Sequence, residues 1–276
     1  MGDLFDWREI CILVVIFAIL YYLLKPVCTN IETFRFDSGV AGPHILLVGS
    51  VHGNEPAASV AFKQLADELR DGAKVLQKGR ITILPSCNPC GKAVSMRWLP
   101  HQLLLFHAID LNRNFAKKPN QRGRCTISRM IEDLAREADL VIDGHEGYDF
   151  VKRNPKSMGS AVYAGRSELA EKMVAKMVDD LNKTITNKPT SCKGFFCNPL
   201  KSLTNNKIDK MTVEDFHFIV NIEPDLPGTL RWFCDGNRVP YILIETTGQA
   251  DIQPLNVRAN QHKILVTSAL QQLGMI

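Results

Sequence analysis

Two short stretches carry residue types suited to bond chemistry. Ser50-Val51-His52-Gly53-Asn54-Glu55-Pro56 sets an imidazole and a carboxylate three residues apart, a spacing that brings both to one side of a helical turn. Far along the chain, Asp143-Gly144-His145 offers a second imidazole. Two His nitrogens and one carboxylate form a His2Glu set, the donor pattern of a catalytic zinc site whose fourth position stays open for water. Glu245 closes a third apolar run, Tyr241–Glu245 (YILIE), and is placed to act as general base on that water without binding the metal. An H-x-x-E pair alone arises by chance on many helix surfaces. What gives it weight is the order: apolar run, ligand pair, long insert, apolar run, His, long insert, apolar run, Glu.

These residues need elements to carry them, and the chain alternates short apolar runs with amphipathic stretches. His44–Val48, Ile81–Leu84, Leu140–Asp143 and Tyr241–Glu245 read as buried strands. Ala57–Arg70, Ile127–Ala138, Glu168–Leu181 and Val257–Leu273 show helical spacing, the first closed by Asp71-Gly72. Alternation of this kind predicts an α/β fold: a central mixed, mostly parallel sheet with helices on both faces. Ligands of such sheets lie beyond the carboxyl ends of the strands, where His52, Glu55, His145 and Glu245 fall. Residues 184–229 have weak periodicity and read as long loops.

Composition sets bounds. The 276 residues are 45% hydrophobic and 22% charged, which excludes wholesale disorder, a collagen-like repeat and a multi-span membrane protein. A net charge of +4, evenly spread, gives no footprint for nucleic acid. Eight Cys are too few for a disulfide scaffold in a chain long enough to bury a core. Cys87-x-x-Cys90 with Cys192 and Cys197 gives an alternative four-Cys zinc site.

Residues 10–24 (ICILVVIFAILYYLL) carry no charge, Gly or Pro. With Trp7, Tyr21 and Tyr22 as interfacial aromatics and Arg8 and Lys25 at its ends, the run predicts an N-terminal transmembrane helix, and hence a single-pass membrane protein. The flanking charges do not fix which side the catalytic domain faces. The expected organisation is an anchor over 1–25, a tether over 26–43 and a catalytic domain over 44–276.

Ile109-Asp110-Leu111-Asn112-Arg113-Asn114-Phe115 completes a wider pattern. HGNEP, Asn88-Pro89, DLNRNF, a D-x-H and a strand ending in Glu follow one another in that order. The chain thereby resembles the zinc carboxypeptidase superfamily, and through HGNEPA its succinylglutamate desuccinylase/aspartoacylase branch, over about residues 44 to 270. The resemblance implies one zinc ion held by His52, Glu55 and His145. It implies that Asn112 and Arg113 grip a substrate carboxylate, that Arg97 polarises the scissile carbonyl, that Asp110 orients a zinc-bound His, and that Glu245 is the catalytic Glu. The implied activity is zinc-dependent hydrolysis of an amide bond in a small carboxylate-bearing substrate or at a peptide C-terminus: a deacylase, or alternatively a carboxypeptidase or peptide amidase.

The chain departs from the family pattern at three points, and the first and third keep open a further alternative, a catalytically silent, membrane-anchored binding module. No Tyr lies between Ala164 and Pro240, where carboxypeptidases of the superfamily carry one on a mobile loop. Only 31 residues follow Glu245, too few for the β-rich C-terminal domain of aspartoacylase-like enzymes. The segment from Arg97 to Asp110 is also long for the pattern and contains the apolar run Leu103–Phe106. Pro227–Trp232, Tyr148 and Arg153 are further candidates for lining a pocket.

Overall fold

A computed structural model describes residues 7, 11–17, 30–99, 109–118, 120–188, 211–222, 225–248 and 252–276. Seven strands form one sheet: β1 (Phe34–Asp37), β2 (His44–Gly49), β3 (Arg80–Leu84), β4 (Leu140–Gly147), β5 (Ala161–Ala164), β6 (Ile219–Asn221) and β7 (Tyr241–Thr247). Their order across the sheet is β1-β3-β2-β4-β7-β5-β6. Strands β3, β2, β4 and β7 run parallel; β1 pairs antiparallel with β3, β5 pairs antiparallel with β7, and β6 lies parallel to β5. The sheet is therefore mixed and mostly parallel, as the alternating pattern predicted. Strand β1 falls in the stretch read as a tether.

The central strands are buried on both faces, so their side chains divide by the period of two. Ile45, Leu47, Ile142, Ile242 and Ile244 pack under α1 (Ala57–Arg70), α4 (Glu168–Asn182) and α6 (Leu255–Gln272). Leu46, Val48, Val141, Tyr241 and Leu243 pack on the other face, under α3 (Thr126–Arg136) and α5 (Leu230–Gly236). Between these lie a short α2 (Pro89–Ala93), whose N-cap Asn88 accepts from Gly91 N, and a single 3-10 turn over Leu111–Arg113. The turn is the beginning of the N-R-N segment, so the motif sits on a tightly stitched loop rather than on a helix.

The expected transmembrane helix is overturned, and with it the single-pass membrane location and a membrane contact through residues 10–24. Among the described residues, no helix is long and apolar enough to cross a membrane. Within that segment residues 11–17 are helical, a rise of about 10 Å against a hydrocarbon core of ~30 Å; the rest of 10–24 lies outside the described residues. The four-Cys zinc alternative also loses its first pair, because Cys90 is disulfide-bonded while Cys87 is buried and free. Cys192, Cys197 and the run Leu103–Phe106 lie outside the described residues.

Behind β4, on the α1/α6 face, His262 is fully buried with Nε2 3.3 Å from the Thr246 hydroxyl. Burial, and after it the charge of His145, push this imidazole down to about 3. The unfolded chain takes up a proton near pH 6.5 that the native state refuses. His262 thus contributes its full share of stability above about pH 6.5 and loses it progressively as pH falls towards 3. Replacing it (His262→Gln) is expected to flatten the acid limb of the urea-unfolding profile between pH 6.5 and 4, by an amount on the order of a few kcal/mol. Parallel profiles for the two proteins would refute this account.

Candidate metal centre and substrate cleft

The turn after β2 brings the first ligand pair together. Ser50 takes a left-handed conformation (φ 46°) and donates its hydroxyl to Glu55 O at 2.8 Å, closing the loop over His52. Gly53 lies directly against the backbone of Gly91 at α2, an approach that leaves no room for a Cβ. His52 and Glu55, both buried, are joined by a 2.8 Å contact from Nδ1 to Oε1. Their spacing works through this turn, which ends at Glu55 two residues before α1 opens, rather than along a regular helix.

The third candidate comes from the sheet. His145 lies inside β4, on the same face as Asp143, and its Nδ1 is 2.8 Å from Glu55 Oε2 and 3.1 Å from His52 Nδ1. Ligand atoms of His52, Glu55 and His145 thus all lie within 4.8 Å of one another. Each outer ring nitrogen faces a different carboxylate. His52 Nε2 is 3.1 Å from Asp110 Oδ1, and His145 Nε2 is 3.2 Å from Asp143 Oδ2. A carboxylate at Nε2 favours the tautomer protonated there and leaves the Nδ1 lone pair for a cation. Two such nitrogens and a carboxylate oxygen gathered this closely make a donor set suited to zinc.

The electrostatics agree with a site built for positive charge. Burial raises the Glu55 carboxyl, but the charges and hydrogen bonds of His52 and His145 outweigh it and hold the group well below the usual carboxylate range. Burial likewise disfavours a charged His145, yet Asp143 and Glu55 lift it well above the ordinary imidazole value. Asp110 is raised by burial and lowered by more, first through His52 and then through Arg97 and Arg113.

Asp110 is the junction of the remaining residues. Its Oδ1 accepts from Asn112 N at 3.0 Å, and its Oδ2 accepts from Arg97 Nε at 3.2 Å. Arg97 reaches on to Glu55 Oε1 at 3.4 Å, so it stands beside the ligand cluster in spite of the long segment that follows it. The Asn112 side chain accepts from Leu230 N at 3.0 Å, and Arg113 Nη1 donates to Asn112 O at 2.6 Å. Glu245 is brought in by strand register: it pairs with His145 across β4–β7 and is buried to 7% exposure. A cleft of about 270 Å³ joins them, with His52, Glu55, Arg97, Asn112, Arg113, His145 and Glu245 in its lining.

The structure therefore brings together the eight residues for which the sequence suggests a ligand, base, carboxylate-binding, carbonyl-polarising or orienting role. Tyr148 and Thr229, both candidates from the sequence, line the cleft as well, and Lys156, Ser157, Met158 and Leu226 join them as walls the sequence left open. Of the Pro227–Trp232 segment only Thr229 lines this cleft, while Trp232 donates its indole N–H to Lys117 O. Arg153 is not among the lining residues. In the sequence Asp143 is only the first residue of D-x-H and Tyr241 only the first of a buried strand; in the fold the Tyr241 hydroxyl donates to Asp143 Oδ2 at 2.9 Å. A carboxylate two residues before a candidate ligand on one strand face was the available signal.

Residues 41–181 match the model of the succinylglutamate desuccinylase/aspartoacylase catalytic domain. Among solved structures, the tripeptide-bound cell shape determinant Csd4 of Helicobacter pylori, elsewhere described as a D,L-carboxypeptidase, is similar with TM-score 0.62 at 16% identity, over 90% of this chain and 56% of that one. A succinylglutamate desuccinylase/aspartoacylase from Rhodobacter sphaeroides gives TM-score 0.58 at 16% identity, over 89% and 60%. A succinylglutamate desuccinylase from a Silicibacter species gives 0.57 at 18%, over 89% and 61%. At these identities the likeness is one of fold, and the chain spans little more than half the length of these proteins. No curated protein matches the chain in sequence.

Proposed function

The chain belongs to the succinylglutamate desuccinylase/aspartoacylase catalytic-domain family, and from that premise we propose that it is a zinc-dependent hydrolase cleaving the amide bond of a small carboxylate-bearing N-acyl amino acid. The observation that carries this reading is the convergence of His52 Nδ1, Glu55 and His145 Nδ1 beside Glu245. His52, Glu55 and His145 would hold the zinc. When bound, zinc supplies a Lewis acid that acidifies a water and polarises a carbonyl.

The chain's own groups carry the other steps. Arg113 takes the substrate carboxylate in the planar fork of its guanidinium, and Asn112, its oxygen committed to Leu230 N, offers its amide N–H2 to the same group. This fixes the amide carbon over the open side of the cluster. Glu245 takes a proton from the attacking water and returns it to the leaving nitrogen. Arg97, fixed by Asp110, meets the oxygen on which negative charge develops. Asp110 and Asp143 keep the two imidazoles turned so that Nδ1 faces inward.

A second reading, a carboxypeptidase acting on short peptides, has one observation in its favour: the cleft has a wall of Tyr148, Met158 and Leu226, apolar surface of the kind that receives a side chain next to the cut bond. Purified protein assayed for metal content and against parallel panels of N-acyl amino acids and short peptides separates the cases. About one zinc per chain with release of amino acids from the acyl panel is the expected result. Cleavage of peptides alone replaces the first reading by the second. A protein with no zinc and no turnover on either panel is a silent binding module.

A further inference from the structure

We propose that Glu146 and Arg258 form a buried charge pair that acts as a positioning unit for the metal ligands, a role that rests on the metal-centre reading above. Glu146 follows His145 on β4 and so points to the opposite face of the sheet, beneath α1 and α6. There it pairs with Arg258 of α6, the two side chains 0% and 4% exposed. The other oxygen, Oε1, accepts from Ala57 N at 2.7 Å, the first residue of α1 and two positions after Glu55. The backbone N–H of Glu146 donates to Glu55 Oε2 at 3.1 Å, the same oxygen that meets His145 Nδ1. One residue thus holds the side chain of Glu55 through its backbone, and the end of the Glu55 turn through its side chain.

Arg258 extends the hold to the third strand. Its Nε donates to Gln253 O at 3.0 Å, and the Gln253 side chain donates to Thr247 O at 3.2 Å, two residues beyond Glu245. The three segments bearing His52/Glu55, His145 and Glu245 are thereby tied together from behind. Gly248 belongs to the same device, since a Cβ there would collide with Glu146 Oε2 and Arg258 Nη1. A buried ion pair is a poor means of stabilising a core, because an apolar pair of like volume serves packing as well or better. The contacts of this pair reach the Glu55 carboxylate, the end of the Glu55 turn and, by way of Gln253, the strand of the proposed base.

The test compares zinc affinity, the visible spectrum of the cobalt-loaded protein and steady-state kinetics for wild type, Glu146→Met/Arg258→Met, Arg258→Lys and Arg258→Met. The double variant keeps packing and removes the charges. It is expected to fold with a cooperative transition, to bind zinc about 10–100-fold more weakly and to show an altered cobalt spectrum. At saturating zinc its kcat falls while KM stays within about twofold. Arg258→Lys, which keeps the charge, recovers zinc affinity relative to Arg258→Met. A folded double variant with wild-type zinc affinity and cobalt spectrum overturns the proposal and leaves the metal centre standing. Should the double variant not fold, Glu146→Gln carries the test, and wild-type zinc affinity in that protein overturns it equally. A wild-type protein that binds no zinc removes the functional reading and this proposal together, a result distinct from either.

Discussion

Glu245→Gln is expected to lower kcat by about 10²–10⁴-fold while zinc affinity stays within about twofold of wild type. The basis is the strand register. Glu245 lies opposite His145 on the neighbouring parallel strand, on the same face, and lines the cleft without belonging to the three-residue ligand cluster. Gln keeps the size of the side chain and its hydrogen bonding at the oxygen, but it cannot take up and return a proton. Losing the base and leaving the ligands therefore separates kcat from metal content. Steady-state kinetics at saturating zinc, with metal content measured on the same preparation, reads both. Activity retained within tenfold would remove Glu245 as the base. Zinc lost along with activity would make it a ligand or a structural support instead.

The parts of this site legible in the sequence were those fixed by local chemistry. His52, Glu55, Asp110, Asn112 and Arg113 sit in short motifs whose spacing survives in the fold, because each motif is a single turn closed by its own hydrogen bonds. The long helices Ala57–Arg70 and Glu168–Asn182 were legible from period alone. Strand β4 was cut short at Asp143, because Gly-His-Glu-Gly has no apolar run; pairing with β7 nevertheless carries it to Gly147 and buries every residue. Tertiary pairing there overrides local preference. Strands β5 and β6 escaped for the opposite reason: four and three residues are too short to display a period. The Tyr241–Asp143 and Glu146–Arg258 contacts span 98 and 112 residues, distances over which a single sequence carries no pairing signal. The apolar run 10–24 misled because composition alone cannot distinguish a membrane span from other uses of a 15-residue apolar segment.

Asp110→Asn is the second substitution with a large expected effect, and the argument for it is one of hydrogen-bond arithmetic. One oxygen of Asp110 accepts from His52 Nε2 and Asn112 N, and the other accepts from Arg97. All three partners are donors in this arrangement, so an amide cannot replace the carboxylate. With its oxygen towards His52 and Asn112, the new NH2 group meets the Arg97 guanidinium donor to donor. Turned over, it meets the His52 ring N–H and the Asn112 N–H instead. Either orientation releases a ligand-orienting contact or the arginine proposed to meet the developing charge. The volume is unchanged and the Asp110 side chain is 19% exposed, so the fold is expected to survive at a cost of about 1–3 kcal/mol for the donor-to-donor contact. Zinc affinity is expected to fall about 10–100-fold. At saturating zinc, kcat is expected to remain about 10–100-fold low, because restoring the metal does not restore Arg97. Recovery of full kcat on adding zinc would confine Asp110 to holding His52 and would separate Arg97 from the reaction; wild-type zinc affinity together with wild-type kcat would dismiss the junction altogether.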